Sequence, residues 1–219
     1  MYKIIKRLLD FVLALIALIL LLPVFIPVIL ILSVTGEKEV FYLQNRVGFK
    51  NKCFKIWKFA TMLKDSENIG TGSITVCNDP RVFPFGRFLR KTKINELPQV
   101  INVLLGNMSI VGPRPLMLVH FQKYDLEQQK TIYNCKPGIT GIGSIVFRDE
   151  QMMVSNPNMD PQEYYHKHIM PYKGMLEAWY QKNASLLVDL KIIFLTAWVI
   201  IFPNSNLYKS WFKDLPERP

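Results

Sequence analysis

The chain has 219 residues, half of them hydrophobic, a formal net charge of +10 at pH 7 and a mean hydropathy of +0.15. It is long enough for one compact domain plus a membrane element, too apolar for an ordinary soluble domain and too polar for a multi-span transporter. The charge calls for anionic partners: lipid head groups, nucleotide phosphates or nucleic acid. Cys53, Cys77 and Cys135 are odd in number and form no CxxC, so they signal neither a disulfide framework nor a zinc site, which suits a reducing compartment. His166 and His168 form an HxH without an evident third ligand and read as surface residues.

Lys3, Lys6 and Arg7 precede an apolar run from Phe11 to Leu32. The run is longer than a signal-peptide core and has no A-x-A-like site, so it is expected to stay attached. About 20 helical residues cross a hydrocarbon core of about 30 Å, and the run is long enough to do so. Pro23 and Pro27 each remove a backbone donor and clash with the preceding turn, at about 3 kcal/mol in a regular helix interior. A break at Pro23 leaves Phe11 to Leu22 as an arm that reaches only about half-way through the bilayer, after which the chain can turn back. Cations follow the run as well as precede it (Lys38, Arg46, Lys50, Lys52, Lys55, Lys58), and the positive-inside bias pulls both flanks to the cytoplasm. A proline-broken re-entrant helix over residues 1–35 is therefore expected, with a kinked span as the alternative. Asp10 is expected to pair with Lys6 or Arg7 at head-group depth.

Residues 36–219 form the expected cytoplasmic domain. Val40 to Leu43 reads as a short strand followed by a turn over Gln44–Gly48, and Phe54 to Phe59 as a half-exposed strand. Lys64 to Asn78 reads as a surface loop centred on Gly70-Thr71-Gly72-Ser73, without the helix-opening pattern of a P-loop. After the Asp79-Pro80-Arg81 turn, Arg87, Arg90, Lys91 and Lys93 interleave with Phe83, Phe85, Phe88 and Leu89, as in an interfacial amphipathic helix. Asn95 can serve as a helix N-cap, with Glu96 and Pro98 in the first turn, so neither Asn95 nor Glu96 needs a chemical role to be explained. The following helix ends at Gly106. Prolines 113 and 115 fix the backbone of Arg114, holding a guanidinium where it can grip phosphate.

Together these segments resemble the bacterial sugar transferase family, the monotopic phosphoglycosyl transferases. The resemblance rests on QNRVG (44–48), KIWKFATM (55–62), DPR (79–81), GRFLRKTKINELPQVINVLLGNMSIVGPRP (86–115) and KPGITG (136–141). It implies a re-entrant helix broken at Pro23 and a small, mainly helical α/β body with amphipathic helices in the interface. It also implies Mg2+-dependent transfer of a sugar phosphate from a UDP-sugar to polyprenyl phosphate in the inner membrane, with release of UMP. In the family a covalent phosphosugar forms on the aspartate before the glutamate of DELPQ. The glutamate, here Glu96, helps bind Mg2+, and nearby cations, here Lys58, Arg81, Arg87, Arg90, Arg114 and Arg148, are candidates for holding phosphates.

Three positions depart from the pattern: Asn95 replaces the nucleophilic aspartate, Asn107 the aspartate of GDMS, and Ala60 the arginine of KFRTM. A carboxamide is uncharged with delocalised lone pairs, so Asn95 cannot act as the nucleophile. An engineered change at Asn95 would account for this. Another carboxylate can instead serve (Glu96, Asp149 or Glu150), or the lipid phosphate can attack directly. The chain can also be a silent relative that binds lipid or partners at the membrane surface. Nucleic acid is the weakest candidate partner, and homodimerisation stays open. Toward the C-terminus, Pro171-Tyr172-Lys173-Gly174 reads as a loop. Ala184 to Phe202, interrupted by Asp189 and Lys191, reads as an interfacial or packed helix rather than a span, with Trp198 near the head groups and Trp211 and Phe212 beyond it.

Overall fold

A computed structural model of the chain describes residues 2–69, 74–155 and 160–218. The Gly70–Ser73 centre of the expected loop, and residues 157–159 of the Pro157–Pro161 loop signal, lie outside the described residues. In chain order the elements are α1 (Tyr2–Val34), β1 (Phe41–Val47), β2 (Cys53–Phe59), α2 (Pro84–Lys91), α3 (Gln99–Leu104), β3 (Ser109–Val111), α4 (Leu118–Phe121), α5 (Leu126–Thr131), β4 (Gly138–Thr140), α6 (Ile142–Val146), α7 (Glu150–Val154), α8 (Pro161–Tyr164), α9 (Met170–Asn183), α10 (Leu186–Ile201) and α11 (Leu207–Trp211). The fold is mainly helical, with an antiparallel β1–β2 hairpin and a parallel β3–β4 pair.

α1 is one α-helix of 33 residues, and Pro23 and Pro27 lie inside it rather than ending it. The expected interruption at Pro23 is thus absent from the helical pairing. In so apolar a segment an unpaired backbone group costs several kcal/mol, so the surrounding pairs persist and only the two missing proline donors are forfeited. Leu15, Ile16, Ile19 and Leu20 are exposed, as a lipid-facing stretch would be, while Ala14, Phe25, Val28 and Leu32 are buried against the body. Both halves of the helix are docked on one unit. Phe25 meets Phe59 of β2 edge-on at 5.3 Å, and Leu32 joins the cluster of Ile56, Leu89, Val100 and Met108. Each fully buried side chain of this size contributes about 1.5–3 kcal/mol.

The basic start of α1 is stapled by polar contacts. Arg7 donates to the Val103 and Leu104 carbonyls at 2.6 and 3.0 Å, satisfying acceptors at the C-terminus of α3. Asp10 accepts the backbone N–H of Ile110 at 3.0 Å, and Lys6 pairs with Asp189 at 2.7 Å. The expected pairing of Asp10 with Lys6 or Arg7 is therefore replaced by long-range partners, because the body presents a bare N–H and a buried carboxylate to this turn.

Three other expectations change. β1 continues through Gln44–Val47, where a turn was expected, because the seven-residue register with β2 pairs Gln44 with Ile56 and Val47 with Cys53. Pro171–Gly174 is helical. Pro171 occupies the first turn of α9, where no donor is missed, and a Cβ at Gly174 would come within 2.8 Å of the Tyr124 ring, so the glycine lets α9 pack closely. Finally, α10 buries Ile192, Leu195 and Val199 while Leu187, Leu190, Phe194 and Ile201 stay exposed, so it is packed on one side and apolar on the other.

Candidate active site

The motif residues converge between the hairpin, the segment joining α2 to α3, and the loop after β3. Lys58 pairs with Tyr42, Ile56 with Gln44 and Phe54 with Arg46 in register, so Lys58 and Arg46 project from the same face of the hairpin. Asn102, fully buried on α3, fixes the free side of β2: its Oδ1 accepts the Trp57 N–H at 2.9 Å and its Nδ2 donates to the Lys55 carbonyl at 2.8 Å. On the far side, β3 pairs with β4 through Ser109–Gly138 and Val111–Thr140. A Cβ at Gly138 would collide with the Gly112 nitrogen, so the glycines of GPRP and KPGITG permit a backbone approach that no other residue allows.

Asn95 and Glu96 sit on a single 3₁₀ turn, Ile94–Glu96, entered through Lys93 at a positive φ of 61°. The capping role expected for Asn95 is not found: Pro98 occupies the N-cap position of α3, and Asn95 is buried, its Oδ1 without a hydrogen-bond partner. A bare buried acceptor costs about 1–3 kcal/mol, so this placement is explained by something other than helix capping.

Glu96 is the hub. Arg114 grips it with both guanidinium nitrogens, Nη2 to Oε1 at 2.6 Å and Nη1 to Oε2 at 3.3 Å, and Lys58 Nζ lies 3.4 Å from Oε1. The Glu96 side chain is 22% exposed and that of Lys58 16%. Burial pushes the Glu96 carboxyl upward, but the Arg114 and Lys58 charges outweigh it and hold it well below the usual range. Burial, reinforced by Arg46, Arg114 and Arg90 and opposed by Glu96, brings Lys58 down to about 7. Glu96 raises Arg114, and burial beside Arg114 lowers Arg46 to about 10. The site is an ionised carboxylate inside a ring of cations, an arrangement that invites a polyanion with one or more phosphates.

The cations expected to hold phosphates divide. Lys58 and Arg114 are in the site, and Arg90 is beside it, donating to Thr61 Oγ1 at 3.4 Å and lowered by burial. Arg81 is 4% exposed and locked into the loop: it pairs with Asp79 at 2.6 Å and donates to the carbonyls of Ser66, Ile69 and Ile74. Arg87 is exposed on α2, its Nε on the Val82 carbonyl at 3.2 Å. Arg148 lines a different cavity, with Asn204, Ser205 and Tyr208, where its Nη1 is buried without a partner. Arg46 was missed as a site residue. It donates to Gln44 and to the Pro115 carbonyl, and the alternation Gln44-x-Arg46 in a strand facing Lys58 was the available signal.

The Glu96 carboxylate and the orphaned Asn95 Oδ1 are hard oxygen donors of the kind Mg2+ takes. Such an ion needs only one or two protein carboxylates when substrate phosphates complete its shell. Among the described residues no group of three His, Cys, Asp or Glu side chains comes together. Glu96 and Asn95 are thus the residues whose oxygens would hold such an ion.

Fold and site thus define a small helical domain with a long apolar helix and a cluster of cations around one ionised glutamate. The chain belongs to the bacterial sugar transferase family, whose sequence profile matches residues 1–203. It is 38% identical over 197 residues to the UDP-glucose:undecaprenyl-phosphate glucose-1-phosphate transferase of Escherichia coli (strain K12), covering 89% of this chain and 39% of that protein. It is 33% identical over 202 residues to the UDP-N-acetylgalactosamine-undecaprenyl-phosphate N-acetylgalactosaminephosphotransferase of Aeromonas hydrophila, covering 91% and 44%. It is 30% identical over 205 residues to the exopolysaccharide production protein ExoY of Sinorhizobium fredii (strain NBRC 101917 / NGR234), covering 87% and 83%. The chain therefore spans less than half of the first two relatives and most of the third.

Proposed function

We propose that this chain transfers a sugar 1-phosphate from a UDP-sugar to polyprenyl phosphate, releasing UMP, in the first membrane step of a surface polysaccharide or glycoconjugate. The observation that carries the reading is Glu96 gripped by Arg114 and Lys58, in a chain similar along most of its length to relatives named for undecaprenyl-phosphate sugar phosphate transfer.

In this reading Lys58, Arg46, Arg90 and Arg114 hold the diphosphate and neutralise the charge that develops on the departing UMP. Glu96 and Asn95 Oδ1 would hold Mg2+, which when bound supplies further positive charge to the phosphates. Because Asn95 cannot form an acyl phosphate, an oxygen of the lipid phosphate attacks the sugar-bearing phosphorus. The bond to the UMP oxygen breaks, and its electron pair leaves with UMP. α1 lies in the cytoplasmic leaflet of the bacterial inner membrane as a monotopic anchor. The docking of both its halves on one body supports this, since a span would carry one end to the far side.

Asn95 also favours a second reading, a silent relative that binds lipid or a pathway partner at the membrane surface. The discriminating experiment is nucleotide release by detergent-purified protein given UDP-sugars, undecaprenyl phosphate and magnesium. Lipid-dependent UMP supports transfer, UDP refutes phosphoglycosyl transfer, and no nucleotide favours the silent relative.

A further inference from the structure

The loop that carries Arg114 is held by one buried hydroxyl that the chemistry above does not use. Tyr133 lies between α5 and β4, is 1% exposed, and reaches both sides of Pro115 with its Oη. It donates to the Arg114 carbonyl at 2.8 Å and accepts the Leu116 N–H at 2.8 Å. Pro115 has no N–H to give, and it restricts Arg114 before it to extended backbone, so a local turn cannot satisfy these groups. A phenol hydroxyl, one donor with acceptor lone pairs, satisfies both at once. Burial holds the phenol well above its ordinary range, the Leu116 N–H pulling it down and the Glu177 carboxyl pushing it up, so the hydroxyl keeps the proton it donates.

The rest of the loop is anchored from the scaffold. The Pro113 carbonyl accepts the Gly138 N–H at 2.9 Å, the Leu116 carbonyl the Val47 N–H at 2.8 Å, and the Pro115 carbonyl Arg46 Nη1 at 3.2 Å. Tyr133 is itself fixed. Its carbonyl accepts the Lys50 N–H in the turn of the hairpin at 2.9 Å, and Gln181 of α9 donates to the Ile132 carbonyl beside it at 2.7 Å. Its ring packs on that of Phe121, with centroids 5.5 Å apart. The carbonyl and the side chain of Arg114 leave the same Cα, so holding the one sets where the other starts. The guanidinium then meets both Glu96 oxygens, at 2.6 and 3.3 Å. A two-pronged pair tolerates little rotation, so it gains most from a backbone already set.

We propose that Tyr133 is a positioning residue of the transfer reaction, its hydroxyl fixing the main chain on both sides of Pro115 and so aiming the Arg114 guanidinium at Glu96 and the substrate phosphates. This rests on the transferase reading. Buried as it is, Tyr133 acts through Arg114.

The test is a double-variant cycle on the full-length protein in detergent: the parent, Tyr133→Phe, Arg114→Ala and the pair, each titrated with UDP by calorimetry well below its melting point. Tyr133→Phe deletes one oxygen and keeps the packed ring. It is expected to weaken UDP binding about 10-fold and to lower kcat/KM for UMP release by at least as much. In the Arg114→Ala background the same change is expected to alter UDP affinity by less than about 2-fold, since no guanidinium is left to aim. A parent-like UDP affinity in folded Tyr133→Phe, or the same fold-loss in both backgrounds, overturns the proposal, because a merely structural hydroxyl would cost both equally. Should Tyr133→Phe not stay folded, 4-aminophenylalanine at position 133 replaces it. That side chain keeps the ring and the donor and gives up the acceptor, and the same comparison of backgrounds decides. If the parent releases no UMP, the transferase reading falls, and the affinity cycle alone decides positioning. If the parent also binds no UDP, positioning is judged from the nitrogen-labelled guanidinium resonance assigned through Arg114→Lys. A move to the value of a solvent-exposed arginine in Tyr133→Phe supports it, and an unchanged resonance refutes it.

Discussion

Replacing Asp189 with alanine should release the first turns of α1 from the body. Oδ2 of Asp189 accepts the Tyr2 hydroxyl at 2.9 Å and Lys6 Nζ at 2.7 Å, and Oδ1 accepts the Tyr180 hydroxyl at 2.6 Å. The Asp189 side chain is 8% exposed and that of Lys6 15%, so the ammonium loses its counter-ion where little water reaches. Removing one partner of a buried pair costs about 3–5 kcal/mol. The long Lys6 side chain is already 15% exposed and can swing toward water, which selects the lower end of that range. With about 1 kcal/mol for the two hydroxyls left to find other partners, the loss is about 4 kcal/mol. At ~2–4 °C per kcal/mol for a chain of this size, the midpoint should fall by about 8–16 °C. The assay is thermal unfolding in detergent, followed by tryptophan fluorescence, with Lys6→Met measured alone and combined with Asp189→Ala. The double variant should be no worse than Asp189→Ala, since the lysine's penalty vanishes with its charge. A midpoint within about 2 °C of the parent, or additive losses, would refute the reasoning.

Glu96→Gln should cut UMP release by at least roughly 100-fold in a nucleotide-release assay, and Arg114→Lys should weaken UDP binding by losing the two-pronged grip on Glu96. Asn95→Asp should yield a phosphosugar adduct on residue 95 in intact-mass spectra when UDP-sugar is added without lipid; the parent should yield none there. Gly138→Ala should fail to accumulate as folded protein, because its Cβ meets the Gly112 backbone, and size-exclusion recovery checks this. Glu177 also gives stability a pH slope. Burial raises its folded pKa to about 8 from the ordinary 4.5, so the native state binds the extra proton between those values. The contribution is complete below the unfolded pKa and is lost as pH rises through about 8, on the order of 5 kcal/mol in all. Denaturant titrations from pH 5 to 9 should show that slope in the parent and its removal in Glu177→Gln.

The sequence by itself determined the long apolar N-terminal helix, the family and the motif block, because these depend on local order. An apolar run of helical length, the alternation of Phe54–Phe59 and the stop at Gly106, with its φ of +83°, are written in neighbouring residues. It also pointed to Glu96, Lys58 and Arg114, through the resemblance and through the two prolines around Arg114. Only the tertiary structure decided what those residues touch. Asp189 and Lys6 are 183 positions apart, Glu96 and Lys58 are 38, and no periodicity encodes such pairings. The same holds for residues that read alike in sequence: Arg81 closes a loop while Arg46 lies beside Arg114 and Glu96, and Asn95 is a buried bare acceptor instead of a cap. The physical reason is that a charge is assigned its partner by which surfaces are excluded from water together, and that exclusion exists only once α1, the hairpin and α9 have packed around the Arg114 loop.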